Sequence, residues 1–339
     1  VEVIRKPIVG LSRALGREVE SVTLISETGA SLSLMNYGGI IEKIMMPDRK
    51  GLLENVLMQY EDRLKYCENP YYLNAAVGMS AGRISEGILR LDGHTYMLER
   101  NGGKHHLHGG SKGLHHQFWN IDSIEKGIND ASIVLTYHHA HLSDGYPGNI
   151  DIRFRVTLTE GHEVKLSYEA VTDRMAHINL THHGYYNLSG RRNADIGEQY
   201  LFINASHYHE TDDGGIPVPA AQPLAGTPFD FSRLAQIAQS YESPIAGMDH
   251  PFCIDRSVRE QGPDVLLADD VSGRLMKLST NQNALVIYTN NGIFKNHLGV
   301  CFEAQEMPNT IVSLLPGEIY LHETVLTFTA DFDREMFYL

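Results

Sequence analysis

The sequence predicts an all-β protein, a large antiparallel β-sandwich with a few short helices. Three observations carry that prediction. Apolar residues recur with a period of two, turn signals such as N-G, D-G and G-G separate short runs of this kind, and helical spacing is rare. The clearest run is I-D-I-R-F-R-V-T-L-T-E-G-H-E-V-K-L-S-Y, residues 150–168. Ile150, Ile152, Phe154, Val156 and Leu158 alternate with Asp151, Arg153, Arg155 and Thr157. After the turn at Glu160-Gly161-His162, Val164, Leu166 and Tyr168 alternate with Lys165, Ser167 and Glu169. That pattern is a half-buried antiparallel hairpin with one wet face.

The other elements follow in chain order. Short strand-like runs occur at 21–26, 30–36, 132–137, 284–288 and 325–330. Residues 60–66 could form a turn or two of helix. Residues 231–240 place Leu234, Ile237 and Ala238 at i, i+3 and i+4, with Ser232 as a candidate cap, and predict a helix. The sequence holds no Pro/Gly/Ser-rich linker, charge block or fixed-period repeat, so one domain over 1–339 is expected.

Charge narrows the partners. There are 28 Lys+Arg against 42 Asp+Glu, a net −14. Nucleic acid and anionic membranes need a basic footprint and are disfavoured. No run approaches the ~18 apolar residues of a membrane span. Cys67, Cys253 and Cys301 are odd in number and lack paired spacing, which suggests a reducing cytoplasm.

Two motifs invite chemistry and then lose it. G-M-S-A-G at 78–82 matches a nucleophile elbow, which needs a strand before the Ser and a helix after it. The β-rich surroundings argue against that context. The 18 histidines include H-H-x-H at 105–108 and again at 138–141, and alternate strand residues share a face that could chelate a metal. No carboxylate follows closely after His108 and there is no H-E-x-x-H, so no metal is expected.

Five polar strings remain: G-R-I at 82–84, L-H-G-G at 107–110, N-L-T-H-H-G-Y-Y-N-L at 179–188, G-M-D-H-P-F at 247–252 and C-F-E-A-Q at 301–305. Each alone is weak. Together, in this order, the chain from about Ser21 to Phe328 resembles the aldose 1-epimerase (galactose mutarotase) family. S-D-G-Y-P-G at 143–148, G-T-P-F-D-F at 226–231 and L-P-G-E-I-Y at 315–320 strengthen the likeness.

The resemblance implies a galactose mutarotase-like supersandwich with an open carbohydrate cleft. It also implies interconversion of the α and β anomers of a free aldose such as galactose or glucose. That reaction needs a base for the O1 proton and an acid for the ring oxygen O5, and no redox cofactor or metal. By resemblance Glu303 is the base, His183 the acid and His108 an assisting donor near the ring oxygen. Arg83 and Asp249 bind sugar hydroxyls, and Gly82 and Tyr185 belong to the cleft. Glu303 is expected to be ionised and His183 protonated beside carboxylates. The partner is a small free sugar, and the protein a monomer or homodimer. The chain departs from many relatives at Gly82, His182, Gly184 and Val286, which affects substrate preference. The alternatives are a non-catalytic carbohydrate-binding or regulatory protein of the same fold, and an epimerase for a disaccharide or modified sugar.

Overall fold

The alternating run folds as its pattern requires. Ile150–Thr159 pairs antiparallel with Glu163–Thr172, with Phe154 opposite Tyr168 and the two rings stacked at 4.2 Å. Ile152, Phe154, Val156, Val164, Leu166 and Tyr168 are buried, while Asp151, Glu169 and Val171 face outward. The computed structural model describes residues 1–256, 262–291 and 297–337. Among them the hairpin lies within a nine-stranded antiparallel sheet. A six-stranded and a five-stranded sheet, with several two-stranded pairs, complete the all-β architecture.

One continuous core joins the three large sheets. Leu24 and Leu32 enter it from the five-stranded sheet, Phe154 and Leu326 from the nine-stranded sheet, and Leu285 and Phe302 from the six-stranded sheet. Burying an aliphatic or aromatic side chain of this size contributes about 1.5–3 kcal/mol, so the sandwich needs neither disulfide nor metal to close. Cys67, Cys253 and Cys301 are free thiols. Among the described residues no helix is long and apolar enough to cross a membrane.

Residues 231–240 do not form the expected helix. Ala235–Gln236 is a short strand against Tyr200 and Leu201, and Ile237–Glu242 is a 3-10 helix. The amides of Ile237 and Ala238 donate to the carbonyls of Gln199 and Gly197 in a neighbouring segment, which replaces the local helical bonds. Tertiary pairing here overrides a weak local propensity. The 60–66 segment yields the 3-10 helix Arg63–Cys67, capped by Asp62, whose carboxylate accepts the Leu64 amide at 2.9 Å. The α-helix Val9–Leu15 was not predicted. Leu11 is its buried residue, no side chain caps its start, and Gly16 closes it at φ +67.

Strand alternation in the six-stranded sheet decides what faces outward. Along Val300–Gln305, Val300, Phe302 and Ala304 enter the core, so Glu303 takes the other face. Along Ala284–Tyr288, Leu285 and Ile287 turn inward, and Val286 outward. Along Asp249–Ile254, Phe252 and Ile254 turn inward, and Asp249 and Pro251 outward. Val286 pairs with both Glu303 and Pro251. The strands bearing the two carboxylates are thus two interstrand spacings apart, roughly 10 Å.

Candidate active site

Five of the seven site residues expected from sequence, Gly82, Arg83, His108, Asp249 and Glu303, line one cleft. His183 stands directly beside it, with Nε2 3.4 Å from Glu303 Oε1. Ligand atoms of His108, His183 and Glu303 all lie within 4.8 Å of one another. Tyr185 is placed differently. It is buried behind His183, its ring nearly parallel to the imidazole at 4.9 Å, and its hydroxyl donates to the Tyr71 carbonyl at 2.9 Å. It backs the histidine and is not among the residues lining the cleft.

The site is assembled from both layers of local structure. Arg83 and Ile84 pair with Leu107 and His106. This brings Gly82 against His108 with two hydrogen bonds. The His108 amide donates to the Gly82 carbonyl at 2.9 Å, and the Gly82 amide donates to His108 Nδ1 at 3.1 Å. Gly82 is at φ +70, and a Cβ there would lie 2.7 Å from Pro308. The glycine that replaces a larger residue of many relatives therefore fits both the turn and the space. His108 is itself left-handed, at φ +49. The next residue, Gly109, passes so close to the Gly78 carbonyl that no side chain fits. Ser80 of the elbow-like motif is buried and bridged to Asn179, with strand and 3-10 structure following it, so the nucleophile context is absent.

Tautomers follow from these bonds. Because His108 Nδ1 accepts the Gly82 amide hydrogen bond, the neutral ring carries its hydrogen on Nε2 and is a donor there. This also bears on metal binding. Two histidines and a glutamate this close form a familiar ligand set. His108, however, has one nitrogen occupied as acceptor and the other protonated, so it offers no free lone pair.

Burial sets the protonation of His183 and Glu303. It pushes Glu303 up to about 8, with Asp249 adding to the rise and Arg83 opposing it. It pushes His183 down to about 4. Both directions reverse the sequence expectation of an ionised Glu303 and a protonated His183, because neither group has the solvent that would stabilise its charge. Burial likewise lowers His108 well below the usual histidine range, helped by His183 and Arg83. It raises Asp249, while Arg83 and His250 pull back. Glu303 Oε2 and His183 Nδ1 are buried with no hydrogen-bond partner among the described residues.

Several contributors were not identified from sequence. Tyr72, at φ +54, packs its ring against His108 at 4.7 Å, His115 at 4.5 Å and His183 at 6.0 Å. It sits in an irregular segment with no periodicity to mark it. Thr211, Gly215 and Pro217 reach the cleft from a loop; the I-P at 216–217 adds to the family resemblance, but nothing in the string marks a role in the site.

The comparisons with known proteins converge on one family. The family model for Aldose 1-epimerase matches residues 20–327. The Aldose 1-epimerase of Haemophilus influenzae is 30% identical over 310 residues, covering 87% of this chain and 88% of that protein. The Galactose mutarotase of Sus scrofa is 29% identical over 317 residues, covering 88% and 91%. Among solved structures, a galactose 1-epimerase from Lactobacillus acidophilus superposes with a TM-score of 0.87 at 25% identity, covering 97% of this chain and 99% of that one. This chain belongs to the aldose 1-epimerase family.

Proposed function

We propose that the protein is an aldose 1-epimerase for a free hexose such as galactose or glucose, and that His183 and Glu303 share the one proton its chemistry needs. The observation that carries this reading is the buried His183–Glu303 contact at 3.4 Å, with the second carboxylate oxygen left free. Between about 4 and about 8 the pair holds one titratable proton, whichever partner carries it. Mutarotation has the same proton balance. One proton leaves O1, one is added to O5, and both return when the ring closes.

Burial favours the proton on Glu303. Transfer across the 3.4 Å contact gives a carboxylate and an imidazolium. Glu303 then accepts the O1 proton while His183 protonates O5, and the C1–O5 bond opens. The aldehyde turns about C1–C2, recloses on its other face, and the transfers reverse. The His108 Nε2–H, fixed by the Gly82 amide, supplies a neutral donor near the ring oxygen. Arg83 presents up to five N–H donors to hydroxyls, and Asp249 accepts from them. Among the described residues the Asp249 carboxylate has no hydrogen bond or ion pair to a side chain, which leaves it available for sugar. The three free thiols support placement in a reducing compartment, the cytoplasm.

Polarimetry on freshly dissolved α-D-galactose and α-D-glucose tests the proposal. The wild type should accelerate mutarotation over buffer. Glu303→Gln and His183→Asn should each lose ~10²–10⁴-fold in kcat. Sugar binding with no rate effect on any free aldose would favour a binding protein instead.

A further inference from the structure

Arg83 is anchored at its backbone and unsupported at its head. Its strand pairs with Leu107, and its carbonyl accepts the Asn309 amide at 2.9 Å. Among the described residues its guanidinium has no hydrogen bond or ion pair to the protein. A long side chain with free rotors would normally sample many positions. What stands against it is a glycine. An ideal Cβ on Gly215 would lie 2.7 Å from Arg83 Cζ and 2.9 Å from both Nε and Nη1.

That glycine is held firmly. Asp212 Oδ1 accepts the amides of Gly214 at 2.8 Å and Ile216 at 3.0 Å, and its carbonyl accepts the Gly215 amide at 2.8 Å. The Asp212 amide donates to the Ile216 carbonyl at 2.9 Å, and Thr211 bridges Pro217 at the base of the turn. Those backbone bonds hold the Asp212 carboxyl below its ordinary range. The neighbouring Gly214 is also confined, because a Cβ there would overlap His105 Nε2. His105 is buried, and its Nδ1 accepts the Glu86 amide at 3.0 Å. The turn is therefore fixed from within and fitted against two side chains of the opposite wall.

We propose that Gly215 is a positioning residue for Arg83: its bare backbone, clamped by Asp212, forms the surface against which the guanidinium rests, and so sets the reach of Arg83 into the sugar cleft. A side chain at 215 occupies the guanidinium's place and turns it away. The inference rests on reading Arg83 as a sugar-hydroxyl donor, and a double-mutant cycle separates the two.

Gly215→Asn is the variant of choice, since asparagine tolerates the left-handed φ of +76 at this position. Gly226→Asn is its control, at φ +79 with no heavy atom near the added Cβ. Polarimetric kinetics should show KM raised ~10–100-fold in Gly215→Asn with kcat little changed, the size expected when hydrogen bonds from a charged donor are lost. Gly226→Asn should match wild type. In an Arg83→Ala background, Gly215→Asn should cause no further change. Should Gly215→Asn fail to fold, the double variant should fold, because the overlap has been removed. The proposal is overturned if Gly215→Asn leaves KM unchanged, if it costs the same factor with and without Arg83, or if the double variant also fails to fold. If Arg83→Ala itself leaves KM unchanged, the reading of Arg83 fails instead.

Discussion

The two outer faces of the sandwich differ in how they hold their charged groups. The nine-stranded sheet carries the larger hollow, a groove of about 700 Å³ lined by residues including Arg17, Tyr137, His138 and Arg153. Several charges on this face pair with one another at the surface: Arg153 with Asp122 at 3.2 Å, Arg155 with Glu125 at 2.6 Å and His138 with Asp151 at 2.6 Å, all partly or largely exposed. The six-stranded sheet carries a smaller cleft, about 40 Å³, in which Glu303 and Asp249 are pushed up by burial. Volume alone would choose the first face. The proposed acid/base chemistry needs the second, where burial has shifted the groups and left oxygen atoms free.

The largest break in this contrast is expected from Glu303→Gln, which should remove ~10²–10⁴-fold of kcat. Asp249→Asn should come next. It keeps the shape and removes the charge, so KM should rise ~10-fold, as for loss of a hydrogen bond to a charged acceptor. It should also lower the apparent pKa of Glu303, because Asp249 contributes to the rise of that group.

A third expectation concerns stability. Burial holds His177, His182 and His322 near 4, 3 and 4 respectively, far below an unfolded histidine near 6.5. The unfolded chain therefore takes up protons that the folded chain refuses. The stability these groups contribute is present above about 6.5 and is lost as pH falls toward about 4. Thermal denaturation across that range should show Tm dropping with acidity, and His322→Gln should flatten the slope. The smallest effect belongs to the other face. Arg155→Ala should leave kcat/KM at the wild-type value and Tm almost unmoved, since exposed ion pairs contribute little.

The residues show what the sequence could reveal and what it could not. Alternation made the 150–168 hairpin legible, and the same rule, applied to Val300–Gln305, explains why Glu303 faces the cleft. Order and spacing of short motifs were enough to indicate the family. Protonation was not legible, because the pKa of Glu303 depends on its burial and on Asp249 and Arg83 brought near by folding. Nor were the roles of most histidines. His106 donates through Nδ1 to the Glu99 carbonyl and accepts the Tyr146 hydroxyl at 2.6 Å, and His322 bridges the Leu180 carbonyl and Thr324. These are neutral, hydrogen-bonded core residues, and they account for part of the histidine count without any chemistry. The turn at Gly214–Gly215 was equally silent, because its significance lies in its contact with Arg83 across the cleft.

Whether His183 and Glu303 share one proton is read from the pH dependence of kcat/KM, followed by polarimetry after subtracting the buffer rate. Activity should fall above about 8 as the pair loses its proton, and this alkaline limb should move down in Asp249→Asn. A profile still rising beyond that point, or one governed by an ordinary histidine near 6.5, would contradict it.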